Sequence, residues 1–194
     1  MCSTMLAVLR EVRFHELLLR IDRNLAEQVR QGRCRLCGAA LHAGHFDRKP
    51  RGGLPQLSDE HRERFSWCCA RDGCRSRAMP PSMRFLGHKV YLGAVVVLVS
   101  ALRCGATPVR MVRLAGLLGV SRRTVNRWRQ WWTEVFVQTR CWVSGSGLFA
   151  VPVPTAQLPL SLLERFVGPP ETALLALLRF VLPVTDGEVA VRVM

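Results

Sequence analysis

Apolar residues recur at helical spacing at two places in the chain. Near the N-terminus they repeat every four residues, at Leu17, Ile21, Leu25 and Val29. This period predicts an amphipathic helix over roughly 5–31. The second place follows Pro108, where the inward-facing positions are 111, 114, 115, 118, 120, 125 and 128. Two helices joined by a tight turn account for this second pattern.

The remaining segments are shorter and less regular. The longest apolar run, Val90–Leu102, has 13 residues. Because a membrane-spanning helix needs about 20 residues, we interpret this run as a buried core helix and expect no membrane partner. Beyond the second helical segment, 144–147 and three prolines mark a break, and 160–166 and 172–182 predict two short apolar helices. This Leu-rich tail is typical of a packing or partner surface.

The charge of the chain is strongly unbalanced. It has 28 Lys and Arg residues against 14 Asp and Glu residues, a formal net charge of +14. The excess is confined to 33–102 and 103–133, each with a net charge of +7, whereas the two ends carry +1 and −1. This distribution predicts a polyanionic partner and argues against an enzyme that binds cationic or neutral metabolites in an acidic pocket.

Four cysteines in the first basic segment have the spacing of a structural zinc site. Cys34 and Cys37 form a CxxC pair followed by a glycine, and Cys69 and Cys74 enclose four residues with a glycine before the second thiol. Such spacings are those of zinc half-sites, so we expect Zn²⁺ in a shell of four thiolates, with each pair at the tip of a hairpin. Cys68 is the alternative to Cys69, although alternation along a strand would point its side chain the other way.

The compartment and two histidines also bear on this site. No signal-peptide pattern follows Met1, so we expect a cytoplasmic, nucleoid-associated protein in a reducing environment, where metal binding is favoured over disulfides. His42 and His45 could share a site with the first cysteine pair, but that site would be cramped compared with a zinc finger.

The second basic segment carries the pattern of a helix-turn-helix. Gly119 suits the turn after the first helix, Ser121 is a preferred N-cap for the second, and Val125 and Trp128 form the inward face of that second helix. The remaining side chains are of the types that read a major groove or bind phosphates. We expect DNA contacts from Ser121, Arg122, Arg123, Thr124, Asn126, Arg127 and Gln130.

A basic loop between the cysteine pairs is a further candidate for DNA contact. It is punctuated by proline and glycine, which makes it unlike a helix, and it carries Arg48, Lys49 and Arg51. These side chains could follow a minor groove, where arginine is favoured electrostatically, or belong to a solvated hairpin loop.

These patterns together predict an α+β fold that is mostly α. We expect an N-terminal amphipathic helix (1–32), a small four-Cys zinc ribbon with its basic loop (33–88), an apolar helix followed by a helix-turn-helix (89–143) and a short helical tail (144–194). Hydrophobic residues make up 49% of the chain, which is enough for a real core and excludes a disordered tail protein.

The order of these parts resembles the N-terminal DNA-binding region of bacterial insertion-sequence transposases of the zinc-ribbon kind. The resemblance covers about 30–135 and includes the Arg127-Trp128 pair of the second helix. It implies binding to transposon-end DNA, with Ser121–Gln130 as the matching recognition helix and with four matching metal ligands, Cys34, Cys37, Cys69 and Cys74. Those transposases continue into an RNase-H-like nuclease with three separated carboxylates. Here the acidic residues that follow are few and lie in a segment too short for that fold: Glu134, Glu164, Glu171, Asp186 and Glu188.

We therefore expect a zinc-dependent, sequence-specific DNA-binding protein of a mobile element that is not an enzyme by itself. Its expected partner is double-stranded DNA, together with a second copy of the chain or a transposition partner protein. Two alternatives remain open: a host transcriptional regulator that uses the tail to dimerise or to contact a partner, and a subunit that acts with a nuclease supplied in trans.

Overall fold

The computed structural model describes residues 11–48, 56–86 and 121–185, together with 7–8, 90–91, 107–109, 112 and 116. Most of the predicted first helix of the helix-turn-helix, including Gly119, lies outside the described residues, as do Lys49 and Arg51. The described residues form a mixed α and β structure of helices and small antiparallel sheets, in agreement with the predicted class.

Helix α1 spans Val12–Gln31 and turns one face to the interior. Its buried face follows a four-residue period through Phe14, Leu18, Asp22 and Ala26, whereas the predicted stripe from Leu17 to Val29 is only half-buried. The apolar stripe therefore borders the buried face and is offset from it by one residue, and the carboxylate of Asp22 lies within that buried face.

The largest sheet has three antiparallel strands. Strand β1 is Leu41–Ala43, β4 is Trp67–Cys69 and β5 is Arg77–Ala78, and they pair in the order β1-β4-β5. In the register of β1 and β4, Leu41 lies opposite Cys69, and both side chains are buried. Trp67 packs on this same face, as alternation along the strand requires.

Two further sheets have two antiparallel strands each. Strand β2 (Phe46–Asp47) pairs with β3 (Glu63–Arg64), which follows a 3-10 turn at Asp59–Arg62. Strand β6 (Phe85–Leu86) pairs with β7 (Val90–Tyr91). The predicted apolar helix from Val90 is therefore wrong at its first two residues, because hairpin pairing satisfies their backbone groups and suits β-branched and aromatic residues. The rest of that run lies outside the described residues.

The C-terminal half of the described chain is helical. Helix α2 (Arg122–Gln130) continues without a break into a π-helical turn at Trp131–Val135 and a 3-10 turn at Phe136–Gln138. Helix α3 (Arg140–Gly145) follows, capped by the Thr139 side chain, and ends in a 3-10 turn at Ser146–Leu148. The predicted break at 144–147 is therefore the end of a helix.

The tail contains the two predicted helices with altered bounds. Helix α4 is a single turn, Leu160–Leu163, and α5 is Pro170–Val181, extended by a 3-10 turn at Leu182–Thr185. Proline suits the first turn of α5 because that position needs no backbone N–H. No helix within the described ranges is both long enough and apolar enough to cross a membrane.

One large apolar core joins α1 to the C-terminal helices. It includes Phe14 and Leu18 of α1, Val125 and Trp128 of α2, and buried leucines of α4 and α5. The side chains of Trp132 and Phe136 are fully buried at its centre. Trp131 is half-buried against it, so this tryptophan pair packs the core.

A buried ion pair connects α1 to the segment that follows β5. Asp22 and Arg84 are 2.8 Å apart, and their side chains are 0% and 6% exposed. The same carboxylate accepts hydrogen bonds from the Ser82 hydroxyl and the Met83 backbone N–H. Because every oxygen of Asp22 is engaged, the pair is held in one geometry, and removal of one partner leaves a buried charge uncompensated.

Candidate metal centre and nucleic-acid interface

Two turns bring the four predicted cysteines together. The first turn joins α1 to β1 and contains Cys34 and Cys37. The second joins β4 to β5, with Cys69 as the last residue of β4 and Cys74 within the turn. The second turn is the predicted hairpin tip, whereas the first is entered from a helix.

A left-handed glycine allows each turn to close. Gly38 and Gly73 have φ values of 70° and 84°, which glycine adopts without the clash that a Cβ would cause. The N–H of Gly38 donates to the carbonyl of Cys34 over 2.7 Å, and the N–H of Cys74 donates to the carbonyl of Arg71 over 3.2 Å. These hydrogen bonds close the two turns that carry the four cysteines.

The four sulfur atoms have the spacing of a tetrahedral metal site. Sγ of Cys34 lies 3.8 Å from Sγ of Cys74, and Sγ of Cys37 lies 3.4 Å from Sγ of Cys69. All four atoms lie within 4.8 Å of one another. Four sulfurs at about 2.3 Å from a common centre are about 3.8 Å apart in a tetrahedron. The cluster is therefore compatible with a four-thiolate metal ion, whereas a disulfide requires about 2.05 Å.

A serine beside the cluster favours the thiolate forms that a metal needs. The Ser76 hydroxyl lies 3.0 Å from Sγ of Cys34 and 3.5 Å from Sγ of Cys74. Its hydrogen bond, assisted by the N–H groups of Cys37 and Leu36, lowers the pKa of Cys34 to about 6 against the effect of burial. The same hydroxyl also lowers the pKa of Cys74.

Cys69 has the opposite tendency. The N–H of Arg71 donates to its sulfur over 3.4 Å and lowers its pKa. Burial and the neighbouring thiols of Cys37, Cys34 and Cys74 outweigh that bond, so that the pKa of Cys69 rises to about 12. Thiols that differ this much are typical of a tight cluster in which the first thiolates oppose ionisation of the last.

The alternative ligands lie elsewhere. Cys68 points away from the cluster, and its sulfur would lie 2.6 Å from a Cβ at Gly44, so the glycine makes room for it. His45 is held by the backbone of Ser66 and packs edge-on against two aromatic rings. Among the described residues, the cluster of possible metal ligands contains the four predicted cysteines and neither histidine.

The exposed face of α2 carries most of the predicted DNA contacts. Ser121 caps the helix, since its hydroxyl accepts a hydrogen bond from the Thr124 N–H over 3.2 Å. Val125 and Trp128 are 0% and 5% exposed, as predicted for the inward face. The side chains that remain in solvent are Arg122, Arg123, Asn126, Arg127, Arg129 and Gln130. Arg129 belongs to this face although it was not among the predicted contacts.

Two predicted contacts of α2 have other partners in the structure. Thr124 is only 7% exposed, because one turn after the cap the helix faces the core, so the prediction that it contacts DNA is not supported by its position. Gln130 donates a hydrogen bond to Glu134 over 2.8 Å. An acidic side chain, that of Glu134, therefore lies one helical turn beyond the last predicted recognition residue.

The basic loop is described only at its start. The guanidinium of Arg48 lies 5.2 Å from the centre of the Phe46 ring, and its side chain is half-buried. Its backbone N–H donates to the carbonyl of Arg62, which continues the β2–β3 pairing by one residue. This first residue of the loop is thus part of the hairpin.

The basic residues of 33–86 divide into buried and exposed groups that the sequence did not separate. Arg64 and Arg84 are 4% and 7% exposed and donate hydrogen bonds to backbone carbonyls, among them those of Pro80 and Glu63. Several others remain in solvent beside the cysteine turns: Arg33, Arg35, Arg71, Arg75 and Arg77. Their position in sequence next to the cysteines is the signal that could have identified these arginines as exposed.

Comparisons with protein-family models, with curated proteins and with solved structures give no match to this chain. The function proposed below is therefore inferred from the geometry of the cysteine cluster and of the exposed face of α2.

Proposed function

We propose that this protein is a zinc-dependent, sequence-specific DNA-binding protein with α2 as its recognition helix. Zinc suits the donor set best, because four thiolates in a closed tetrahedron are typical of structural zinc sites. Cys34, Cys37, Cys69 and Cys74 would hold the ion. It would stabilise the two turns and the short strands beside them, which bury too little apolar surface to do so themselves.

The exposed face of α2 is the observation that carries the DNA-binding proposal. Arg122, Arg123 and Arg127 provide cations, and Asn126 provides an amide in the centre of the same face. Arginine can bind the O6 and N7 edge of guanine with two hydrogen bonds, and asparagine can bind adenine in the same way. Because buried side chains anchor the opposite face, the helix can enter a major groove as a rigid element.

We further propose that the target is DNA of a mobile element, such as a transposon end, as the resemblance to insertion-sequence transposases implies. In this proposal the protein binds without cleaving. Metal-dependent nicking of duplex DNA by the purified protein would contradict that part and favour the reading as a nuclease subunit.

In-vitro selection from a random pool of duplexes tests the proposal directly. We expect the zinc-loaded protein to enrich a defined site, and the symmetry of that site reports how many copies bind. Affinity should fall by about 10³ between roughly 50 and 200 mM salt if about six phosphates are contacted. No enrichment together with a flat salt response would refute DNA binding.

Variants of α2 separate base reading from general attraction. Arg123→Ala and Asn126→Ala should each cost about 1–3 kcal/mol on the selected site and should relax its sequence preference. The matched control is Arg179→Ala, which removes an exposed arginine of α5. Equal losses on selected and random duplexes would remove the recognition role of α2.

A further inference from the structure

Four of the five exposed arginines beside the cysteine turns lie within the turns themselves, and the proposed recognition helix assigns them no role. Arg33 and Arg35 flank Cys34, whereas Arg71 and Arg75 lie in the second turn. We call this group the knuckle arginines. Within the two turns the opposing charge is Asp72, whose ion pair with Arg75 joins side chains that are 95% and 81% exposed. Such an exposed pair contributes little and does not block another anion.

The cluster geometry brings the two turns into one surface. Cys34 and Cys74 are 40 residues apart in sequence, yet their sulfurs are 3.8 Å apart and both approach the Ser76 hydroxyl. Arg33 precedes the first of these cysteines and Arg75 follows the second. Their backbones therefore lie at the same edge of the cluster.

Backbone strain at this edge is an independent observation. Among the described residues, the two non-glycine residues with positive φ are Arg33 at 59° and Arg75 at 40°. Glycine would adopt this conformation freely, and Gly32, one residue before Arg33, has an ordinary φ of −68°. Strained residues of this kind cluster at functional sites. The two turns therefore hold both arginines in a conformation that glycine would adopt more readily.

We propose that the knuckle arginines form a second DNA-binding surface that holds phosphates and reads no bases. This proposal rests on the proposed function, because it assigns another part of the same duplex partner. Guanidinium groups carried on turns that a metal would make rigid are suited to paired hydrogen bonds with phosphate oxygens. Contacts to phosphates position a duplex and are independent of its sequence.

The knuckle surface and α2 are separate along the molecule. The cysteine cluster packs beside Val29, near the C-terminus of α1, whereas the core that holds α2 includes Phe14 and Leu18. At about 1.5 Å per residue, these parts of α1 are about 20 Å apart. Losses of binding energy at sites this distant are expected to add.

The test uses zinc-loaded full-length protein with Arg33→Gly and Arg75→Gly combined. Glycine removes both charges and suits positive φ, so zinc content should stay at one per chain and the melting temperature should not fall. We expect the affinity for selected and random duplexes to fall by the same factor, and the slope of log affinity against log salt to decrease by about 2. Arg179→Ala, which removes one exposed charge on α5, should leave both surfaces intact.

A second pair of variants guards against a local effect of glycine. Arg35→Gln combined with Arg71→Gln removes the same number of charges at residues with ordinary φ, and it should weaken both duplexes equally as well. Combining the glycine pair with Arg123→Ala should multiply the two losses on the selected duplex.

The outcomes separate this inference from the proposed function. If the variant with both glycines binds DNA as tightly as the unaltered protein while Arg123→Ala loses site preference, the proposal of a second DNA-binding surface is wrong. The proposed role of α2 as a recognition helix is then retained. If zinc content falls together with affinity, the arginines serve the metal centre and the inference is overturned. Knuckle-dependent binding to anionic phospholipid vesicles, with DNA binding unchanged, also overturns it. If no duplex is bound by any form, both proposals fail.

Discussion

The cysteine-rich part of the molecule and its helical part are stabilised by different physical means. In the helical part, one apolar core collects fully buried side chains from α1 to α5, including Trp132, Phe136 and Leu174. In the part around the cysteines, the strands are two or three residues long and the apolar clusters contain three buried residues each. The helical part therefore has an ordinary hydrophobic core, whereas the cysteine-rich part has a cluster of four thiols where such a core would lie.

This contrast implies that the two candidate DNA-binding surfaces depend on different interactions for their stability. The face of α2 is held by buried apolar area, whose contribution to stability does not depend on a metal. The knuckle surface exists only while the thiols are held together. Metal removal and core mutation should therefore act on different halves of the protein, which four experiments can test.

Loss of one cysteine should have the largest effect. Cys37→Ser removes one of four thiolates, and structural zinc contributes roughly 10–16 kcal/mol in small zinc domains. We expect loss of stoichiometric zinc and of amide-exchange protection around β1, β4 and β5, with helical circular dichroism retained from α2 to α5. Cys68→Ser is the matched control and should keep one zinc per chain, because its sulfur faces Gly44. Full zinc content in Cys37→Ser would contradict the metal centre.

Truncation of the central tryptophan should have the reverse effect. Trp132→Ala empties a fully buried site of the helical core and should reduce the free energy of unfolding by about 3–5 kcal/mol, measured by urea titration. Zinc content should remain unchanged. Val143→Ala, at a residue 67% exposed, should change stability by less than about 0.5 kcal/mol. Zinc loss in Trp132→Ala would show that the two parts do not behave separately.

The buried ion pair joins the two parts, so its removal should affect both. Asp22→Asn keeps the shape of the side chain but leaves the Arg84 guanidinium uncompensated, at a cost of about 3 kcal/mol. We expect the unaltered protein to unfold in one transition and Asp22→Asn to unfold in two, observed by amide exchange. Asp59→Asn, at a side chain that is 96% exposed, is the control and should have almost no effect. A stability unchanged in Asp22→Asn would show that the pair does not couple the parts.

The serine beside the cysteines should have the smallest of these effects. Its hydroxyl lowers the pKa of Cys34 to about 6 and also lowers the pKa of Cys74. In Ser76→Ala both pKa values should rise, so protons compete with the metal at higher pH and zinc is released at a higher pH than in the unaltered protein. We expect zinc affinity to weaken by about 10–100-fold. Ser144→Ala, at an exposed residue of α3, should leave the pH of zinc release unchanged.

Local rules were sufficient for several features. The cysteine spacing predicted the four clustered thiols, and alternation along the strand favoured Cys69 over Cys68. The N-cap preference of serine located the start of α2 at Ser121, and helical spacing from there gave Val125 and Trp128 as buried. The predictions for α2 succeeded because each depends on residues within a few positions of one another. Each cysteine pair is local in the same way, although pairing of β1 with β4 brings the two pairs together.

Other features depended on contacts between distant segments. Asp22 is buried because Ser82, Met83 and Arg84 approach it from more than 50 residues away, which no period along α1 records. The strand at Val90–Tyr91 exists because β6 pairs with it, although the apolar run itself favoured a helix. In both cases the partner decided the outcome.

The sequence by itself determined the chemistry of the two sites: four thiols at ligand spacing, and a capped helix with apolar and basic faces. Each cysteine pair and the capped helix are local patterns, because their physics acts within one turn or one helix; the pairing of β1 with β4 then brings the two cysteine pairs together. Only the tertiary structure decided which arginines are available, because Arg64 and Arg84 are buried in hydrogen bonds to other segments while Arg33 and Arg75 are exposed beside the cysteine cluster. Each of these arginines adds the same charge to the net charge of the chain, and only burial separates those that a partner can reach from those that it cannot.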